Sequence, residues 1–456
     1  MLRALVAMAV LAATPDYSVD NARLNRDRAF ERNRTYTPPA LSFLPGGLGG
    51  YERTGRTDGG FSLGGSYGET VTFARASTAT CTDVDGTARI LASGEPCVTG
   101  RGLLVEPAAT NVQKRSEAID TWSTAGTATV TTDTVRAPLG LTMDTISITG
   151  VGANLRFSSS TVSSSTGPFT YSGWGASVDG GAHTAGLIGE CQAPVNVDSC
   201  SCVMENGQAC WATQRAGPDQ TACYGIADFG PTPVRMSVTY TCASAVTVVL
   251  PILTGGISDA GTGYAVPGSH AWGQMQVETG AVATSYIPTD GGVAATRAAV
   301  TVSTTRPSVA LVPQHNSCVG LRFTPLYTGT PPVSSQTGLF DTRNTNNGIY
   351  MFTDNAFLYC LSRNSGAATQ PLVPYSAVAG TTINAACKYD SQGMTDGGTR
   401  ITAYLNNTPG TTTLGVIPTD SPVGSIWFGT NGAAGANALG YLSDFYWSAD
   451  VTRCPK

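Results

Sequence analysis

Hydrophobic and polar positions alternate along this chain in short runs, which is the pattern of β-strands. In the runs 127–132 (TATVTT), 169–174 (FTYSGW) and 234–240 (VRMSVTY), apolar residues recur in part at every second position. Successive side chains of a strand point to opposite faces, so this alternation predicts strands with one buried face. Together the runs predict an antiparallel β-sandwich.

A second series of short apolar runs begins near residue 320. Its members are 320–324 (GLRFT), 338–343 (GLFDTR), 348–352 (GIYMF), 356–359 (AFLY), 400–405 (RITAYL) and 442–447 (LSDFYW). Their turn-separated spacing predicts a second sandwich or jelly roll.

The composition favours the same class. Charged residues are 12% of the 456 residues, and glycine occurs 54 times, whereas globular proteins have about 25% charged residues and about 7% glycine. The expected fold is all-β, with two tandem antiparallel β-sandwich, jelly-roll-like modules preceded by an N-terminal helical anchor and linker. The expected boundaries are 1–69 for the anchor and Gly/Pro-rich linker, 70–300 for the first module and 301–456 for the second.

The net charge limits the kinds of partner that this chain is expected to bind. A formal charge of -5 with a pI near 5.3 provides no basic face for a phosphate backbone, so nucleic acid is not an expected partner. The body of the chain has no run of 18 or more apolar residues, so no membrane span is expected either.

The first 13 residues, MLRALVAMAVLAA, allow two interpretations. One basic residue, an apolar stretch and small residues at the end are typical of a secretory signal. An apolar helix without a polar face must otherwise be buried, which favours an anchor inside a larger assembly. We expect the anchor, with the charge-dense run 21–34 and the Pro38-Pro39 pair as its linker.

The 12 cysteines fall into even groups along the chain. The groups are Cys81 and Cys97; then Cys191, Cys200, Cys202, Cys210, Cys223 and Cys242; then Cys318, Cys360, Cys387 and Cys454. We expect disulfides within each group and an oxidising location, with buried thiols and a zinc site as alternatives. Trp211, beside Cys210, is either packed against a disulfide or exposed, where an indole can stack on a sugar.

Three motifs between residues 71 and 111 carry a family resemblance. The stretches 71–80 (VTFARASTAT), 83–86 (DVDG) and 102–111 (GLLVEPAATN), followed by 272–289 (WGQMQVETGAVATSYIPT), resemble a segment of bacteriophage fibre and spike proteins. The resemblance implies a β-sandwich over roughly 70–300 and a homotrimer. The DVDG stretch is expected to be a hairpin turn, because position 12 of a calcium loop would be Gly94 instead of glutamate.

Four charged residues of this segment are predicted to form structural ion pairs. Arg75 with Glu106 is the first expected pair, and Glu278 with Arg297 the second. An arginine fork binds a carboxylate in bidentate fashion while its stem packs on neighbours, so a partly buried pair can fix strand register.

The second series of strands resembles laminin-G or concanavalin-like jelly rolls, in which F-D-x-R and G-I-Y strands precede a loop-rich face. The expected ligand-binding residues lie at strand ends and turns of this module: Asp341, Arg343, Asn344, Asn346, Asn347, Tyr350 and Trp447. Turn chemistry alone also explains the asparagines.

The sequence predicts no enzyme, metal site or cofactor. His183, His270 and His315 have no metal-ligand spacing, and 60–64 (GFSLG) matches a hydrolase elbow without the required strand and helix. The expected function is a structural virion appendage, a head or tail fibre or spike, that binds host-surface glycans and contacts other virion proteins through its N-terminus. The alternatives are a secreted bacterial carbohydrate-binding protein and a glycan depolymerase using two distant carboxylates.

Overall fold

Strand pairing organises the described part of the chain. The computed structural model describes residues 71–82, 88–125, 128–136, 142–148, 154–156, 160–178, 183–205, 207–214, 222–254, 268–289, 292–305, 317–331, 336–342, 347–390, 399–415, 425–430 and 438–448. Within these residues the regular structure consists of 32 strands and one short 3-10 turn, which confirms the all-β class. The predicted helical anchor and linker lie outside the described residues.

Most of the strands are short, and they are numbered here in chain order. The first six are β1 Val71–Ala74, β2 Ala79–Thr82, β3 Ala88–Leu91, β4 Val98–Thr99, β5 Gly102–Val105 and β6 Ala109–Asn111, followed by the 3-10 turn Ile119–Thr121. The next thirteen are β7 Ser123–Ala125, β8 Ala128–Arg136, β9 Thr142–Ile148, β10 Asn154–Arg156, β11 Ser160–Ser165, β12 Phe169–Ser177, β13 His183–Cys191, β14 Val197–Met204, β15 Cys210–Gln214, β16 Ala222–Phe229, β17 Val234–Cys242, β18 Val246–Thr254 and β19 Gly268–Thr279. The last thirteen are β20 Ala295–Arg297, β21 Thr301–Thr305, β22 Ser317–Pro325, β23 Thr337–Asp341, β24 Gly348–Thr353, β25 Phe357–Asn364, β26 Ala367–Thr369, β27 Leu372–Pro374, β28 Ile383–Asp390, β29 Thr399–Leu405, β30 Thr408–Gly415, β31 Ser425–Phe428 and β32 Gly440–Ser448.

The inserted sandwich, as we call it, is built from residues 123–279. One sheet has the order β15-β16-β13-β18-β10-β7, with β11 also on β18, and the facing sheet has the order β14-β17-β12-β19-β9-β8. Their inner faces share one core, in which Phe169, Tyr171, Leu187, Tyr240 and Trp272 are buried. The predicted strands 169–174 and 234–240 lie in β12 and β17.

The enclosing sandwich, as we call it, is built from both flanks of that insertion. One sheet has the order β1-β21-β31-β23-β24-β25-β26, with β27 on β25, and the other has the order β30-β29-β28-β22-β32-β5-β4. Its core includes Phe73, Leu103, Phe323, Phe340 and Phe428. The two remaining ladders are the hairpin β2-β3 and the pair β6-β20.

This nesting differs from the tandem arrangement expected from the sequence. β1 pairs antiparallel with β21, and β5 pairs antiparallel with β32. Residues 71–105 therefore complete the sheets of residues 301–448 instead of beginning the first module. The physical reason is backbone hydrogen bonding. These strands pair with the N–H and C=O groups of sheets whose other strands come from the far end of the chain.

Glycines allow the two inserted sheets to approach closely. A Cβ at Gly189 of β13 would lie 2.0 Å from the Tyr240 ring of β17, and one at Gly225 would lie 2.2 Å from Val238. The missing side chains make room for the aromatic core of the facing sheet. Among the described residues, no helix has the length and hydropathy needed to cross a membrane.

Candidate functional site

The two chain crossings between the sandwiches meet in a buried polar cluster that we call the junction. The chain enters the inserted sandwich through 106–116 and leaves it through 280–300. β6 in the first crossing pairs antiparallel with β20 in the second, and this short ladder sets Arg297 opposite Ala109. The two parts of the fibre-type motif, 102–111 and 272–289, are far apart in sequence and come together at the junction.

An ion pair lies at the centre of the junction. Arg297 Nη1 donates to Glu106 Oε2, and both side chains are almost completely buried. Arg297 Nη2 donates to the Pro107 carbonyl at 2.9 Å. The Glu106 carboxylate also accepts from the backbone N–H and the hydroxyl of Ser285, each at 2.7 Å. The buried charges are thus hydrogen-bonded as well as paired, as burial requires.

This pairing corrects the one expected from the sequence. Arg75, predicted to bind Glu106, instead donates from Nε to the Ser77 carbonyl and from Nη2 to the Ala92 carbonyl, each at 2.9 Å. The physical reason is register, since the ladder of β6 and β20 brings Arg297 to Glu106. The pKa of Arg75 is lowered mainly by its burial, and secondly by the positive charge of nearby Arg297.

Glu278, predicted to pair with Arg297, is instead buried beside a small cavity and held by hydrogen bonds from its own loop, because Arg297 is taken by Glu106. Its Oε1 accepts from the Thr284 hydroxyl at 2.6 Å, and its Oε2 accepts from the Thr284 N–H at 2.9 Å and from the Gln276 amide. Burial raises the pKa of Glu278, against the opposing effects of Thr284 and of Arg235 and Arg297. The cavity, about 260 Å³, is lined by Pro107, Pro168, Glu278, Val282 and Leu439 among others.

Asn111 joins the junction to the inserted sandwich. Its Nδ2 donates to the carbonyls of Met275 and Ile287, at 3.2 and 2.8 Å, and its Oδ1 accepts from the N–H groups of Val277 and Gln113, each at 3.0 Å. One side chain thereby satisfies four backbone groups.

This role of Asn111 and its neighbours was not predicted from the sequence. A signal was present in the sequence, because Gln276 and Glu278 lie two positions apart in a predicted strand, and their side chains hydrogen-bond to each other. Buried polar side chains at every second position of a strand indicate a shared hydrogen-bonding network.

The predicted ligand-binding residues of the enclosing sandwich have different positions. Asp341 and Tyr350 are only 1% and 2% exposed, which argues against a direct surface contact by either. Asn347 is half-buried, and its Oδ1 accepts from the Ser365 N–H at 2.6 Å. Arg343, Asn344 and Asn346 lie outside the described residues, as does the side chain of Trp447 in β32.

Tyr350 is buried because it begins an aromatic stack. The Tyr350 and Phe352 rings have centroids 4.6 Å apart, as do the Phe352 and Tyr359 rings. β23 and β24 are buried along their whole lengths, so both faces of these strands are covered. A strand with one face in solvent alternates buried and exposed residues. That pattern therefore does not apply to Asp341 and Tyr350, whose strands are covered on both faces.

Each of the five disulfides in the described part of the chain joins two cysteines of one sequence group, as predicted. The described disulfides are Cys81–Cys97, Cys191–Cys242, Cys200–Cys223, Cys202–Cys210 and Cys360–Cys387. Cys318 is also disulfide-bonded, whereas Cys454 lies outside the described residues. Three of the bridges connect the two sheets of the inserted sandwich.

Other predicted features are only partly described. β2 and β3 pair antiparallel on either side of 83–87, as the predicted hairpin requires, but the DVDG turn itself is outside the described residues. His270 is 1% exposed. The side chain of His183, the whole of His315 and the GFSLG stretch are also outside the described residues.

Comparison with solved structures gives only remote likenesses. No protein-family model matches the chain, and no curated protein matches it. Among solved structures, the mouse laminin alpha1 chain, domains LG4-5, is similar to this chain with 11% sequence identity over 66% of this chain and 89% of that chain. Its TM-score of 0.25 is too low to support an argument about function.

Proposed function

We propose that the chain is a structural virion appendage, a head or tail fibre or spike, that binds host-surface glycans. The observation that carries the proposal is the junction. Residues 106–111 of the fibre-type motif hydrogen-bond to residues of its second part, 272–289, and to Arg297 shortly after it, across long stretches of sequence. A chance match of short motifs has no reason to bring its two halves together, so this convergence supports the fibre resemblance.

The disulfides and the sandwiches suit such a role. An appendage works outside the cell, where disulfides persist. Surface residues and loops on the rigid sheets would then bind the host-surface glycans. The fibre resemblance implies a homotrimer, and three weak glycan sites acting together can exceed single-site affinity by a factor on the order of 100 or more.

The alternative is a secreted carbohydrate-binding protein. The disulfides favour it equally, since they indicate an extracellular location without indicating a particle. It differs from the appendage in whether the chain is carried by virions. The depolymerase alternative adds a hydrolytic step, for which two carboxylates about 5–10 Å apart would be required.

Competition for host adsorption tests the proposed function. The purified full-length chain is expected to reduce adsorption of the particles that carry it, because both occupy the same surface glycans. A heat-unfolded sample of the same chain is the control and should leave adsorption unchanged. Equal adsorption with and without saturating folded chain would contradict the proposal.

A further inference from the structure

The outer edge of the inserted sandwich carries an exposed tryptophan on a rigid support. β15 and β14 are the edge strands of the two facing sheets, and Cys202–Cys210 joins them. Cys210 therefore points inward, and because strand side chains alternate, Trp211 points outward. Trp211 is 56% exposed, whereas Trp122, Trp174 and Trp272 are buried.

Polar side chains flank this indole on the same face of the sheet. Trp211 lies opposite Ile226 of β16, so Asp228, two residues further along β16, shares the outward face. Asp228 lies opposite Thr184 of β13, whose hydroxyl donates to Asp228 Oδ1 at 2.6 Å. On the other flank, Thr213 lies opposite Tyr224.

The spacing of this group fits a sugar ring. Diagonal neighbours across two antiparallel strands are about 7–8 Å apart and remain within reach of long and aromatic side chains. A pyranose stacked on the Trp211 indole would thus have its hydroxyls near the Asp228 carboxylate on one side and the Thr213 hydroxyl on the other. Asp228 is exposed, and its hydrogen bond from Thr184 orients it.

We propose that Trp211, Asp228, Thr184, Thr213 and Tyr224, together called the Trp211 platform, bind a neutral pyranose unit of a host-surface polysaccharide. The proposal rests on the proposed function and names the site and the sugar class. An isolated indole bordered by hydroxyls and a carboxylate matches the apolar C–H face and polar rim of a sugar better than it matches a broad apolar partner.

Charge selects neutral sugars over acidic ones. Asp228 is an anion in the platform, and the whole chain has a net charge of -5. Uronic or sialic acids would bring a second anion toward this carboxylate, and like charges at such distances repel.

The experiment uses the full-length chain on a printed array of neutral and acidic bacterial capsular and cell-wall polysaccharides. We expect the wild-type chain to bind neutral polysaccharides. Trp211→Ala should lower that affinity about tenfold or more, equivalent to about 1.4 kcal/mol, because it removes the stacking surface. Asp228→Asn should weaken binding less, and Trp211→Phe should retain most of it.

Val203→Ala is the matched control. Val203 is 57% exposed on β14 and follows Cys202 as Trp211 follows Cys210, but it faces outward from the other sheet. It should leave binding unchanged. Thermal unfolding and non-reducing mapping of Cys202–Cys210 establish that each variant is folded.

The outcomes separate the two proposals. If the wild-type chain binds and Trp211→Ala binds equally well, the platform is refuted while the proposed function stands. If the wild-type chain binds no polysaccharide, both are refuted. If Trp211→Ala instead changes the oligomeric state, a second copy of the chain covers Trp211 and the platform is refuted.

Discussion

Replacing Glu106 with glutamine is expected to destabilise the protein by about 3–5 kcal/mol, because it leaves the buried Arg297 guanidinium without its counter-charge. Arg297 is 1% exposed and cannot reach water in the folded chain. Urea unfolding followed by tryptophan fluorescence measures the effect as a lower midpoint.

A double variant separates the lost charge from lost packing. Glu106→Gln combined with Arg297→Met removes both charges, and it should be less destabilising than Glu106→Gln alone because no unpaired ion stays buried. Lys388→Gln is the surface control, since the Lys388–Asp390 pair is 3.7 Å long with side chains about one quarter exposed. That change should cost no more than about 1 kcal/mol. Equal effects of the Glu106 and Lys388 changes would refute the central role of the Glu106–Arg297 pair.

Removing the Cys191–Cys242 disulfide by changing both cysteines to alanine is expected to cost about 4 kcal/mol in the chain-entropy model. The bridge joins residues 51 apart in sequence and connects β13 to β17 across the core. Both sulfurs are buried, so a packing loss adds to the entropic one.

The Cys202–Cys210 bridge provides the comparison. Its cysteines are only 8 apart in sequence, and the same model gives about 2.5 kcal/mol for its removal. Denaturant midpoints of the two double variants should therefore differ, with Cys191–Cys242 the more costly. A larger loss from the Cys202–Cys210 variant would contradict this ordering.

Local strand patterns were predictable from the sequence because they depend on neighbouring residues. The run 234–240 lies in β17, Val234–Cys242, and the run 400–405 lies in β29, Thr399–Leu405. Pairing partners were not predictable in this way. The alternation along 71–74 indicates which side chains share a face, but nothing local to it specifies β21, more than two hundred residues away, as its neighbour.

The candidate sites were predictable only in part, again because strand pairing is not encoded in neighbouring residues. Residue types pointed to Arg75, Glu106, Glu278 and Arg297, but the pairing predicted from them was wrong. The ladder that sets Arg297 opposite Ala109 brings Arg297 to Glu106, and that ladder cannot be deduced from residue types. Asp341 and Tyr350 were expected at a strand end near the surface, yet they lie in strands covered on both faces. The exposure of Trp211 follows from the inward direction of Cys210, which requires knowledge of its bridge to Cys202.

Peptide mapping of purified particles tests the central proposal most directly. If the chain is a virion appendage anchored through its N-terminus, trypsin digestion of washed particles should yield the peptide Ala4–Arg23 together with peptides from both sandwiches. Absence of the chain from particles, with recovery from the culture medium of a form that starts after about residue 13, would contradict the appendage and favour the secreted protein.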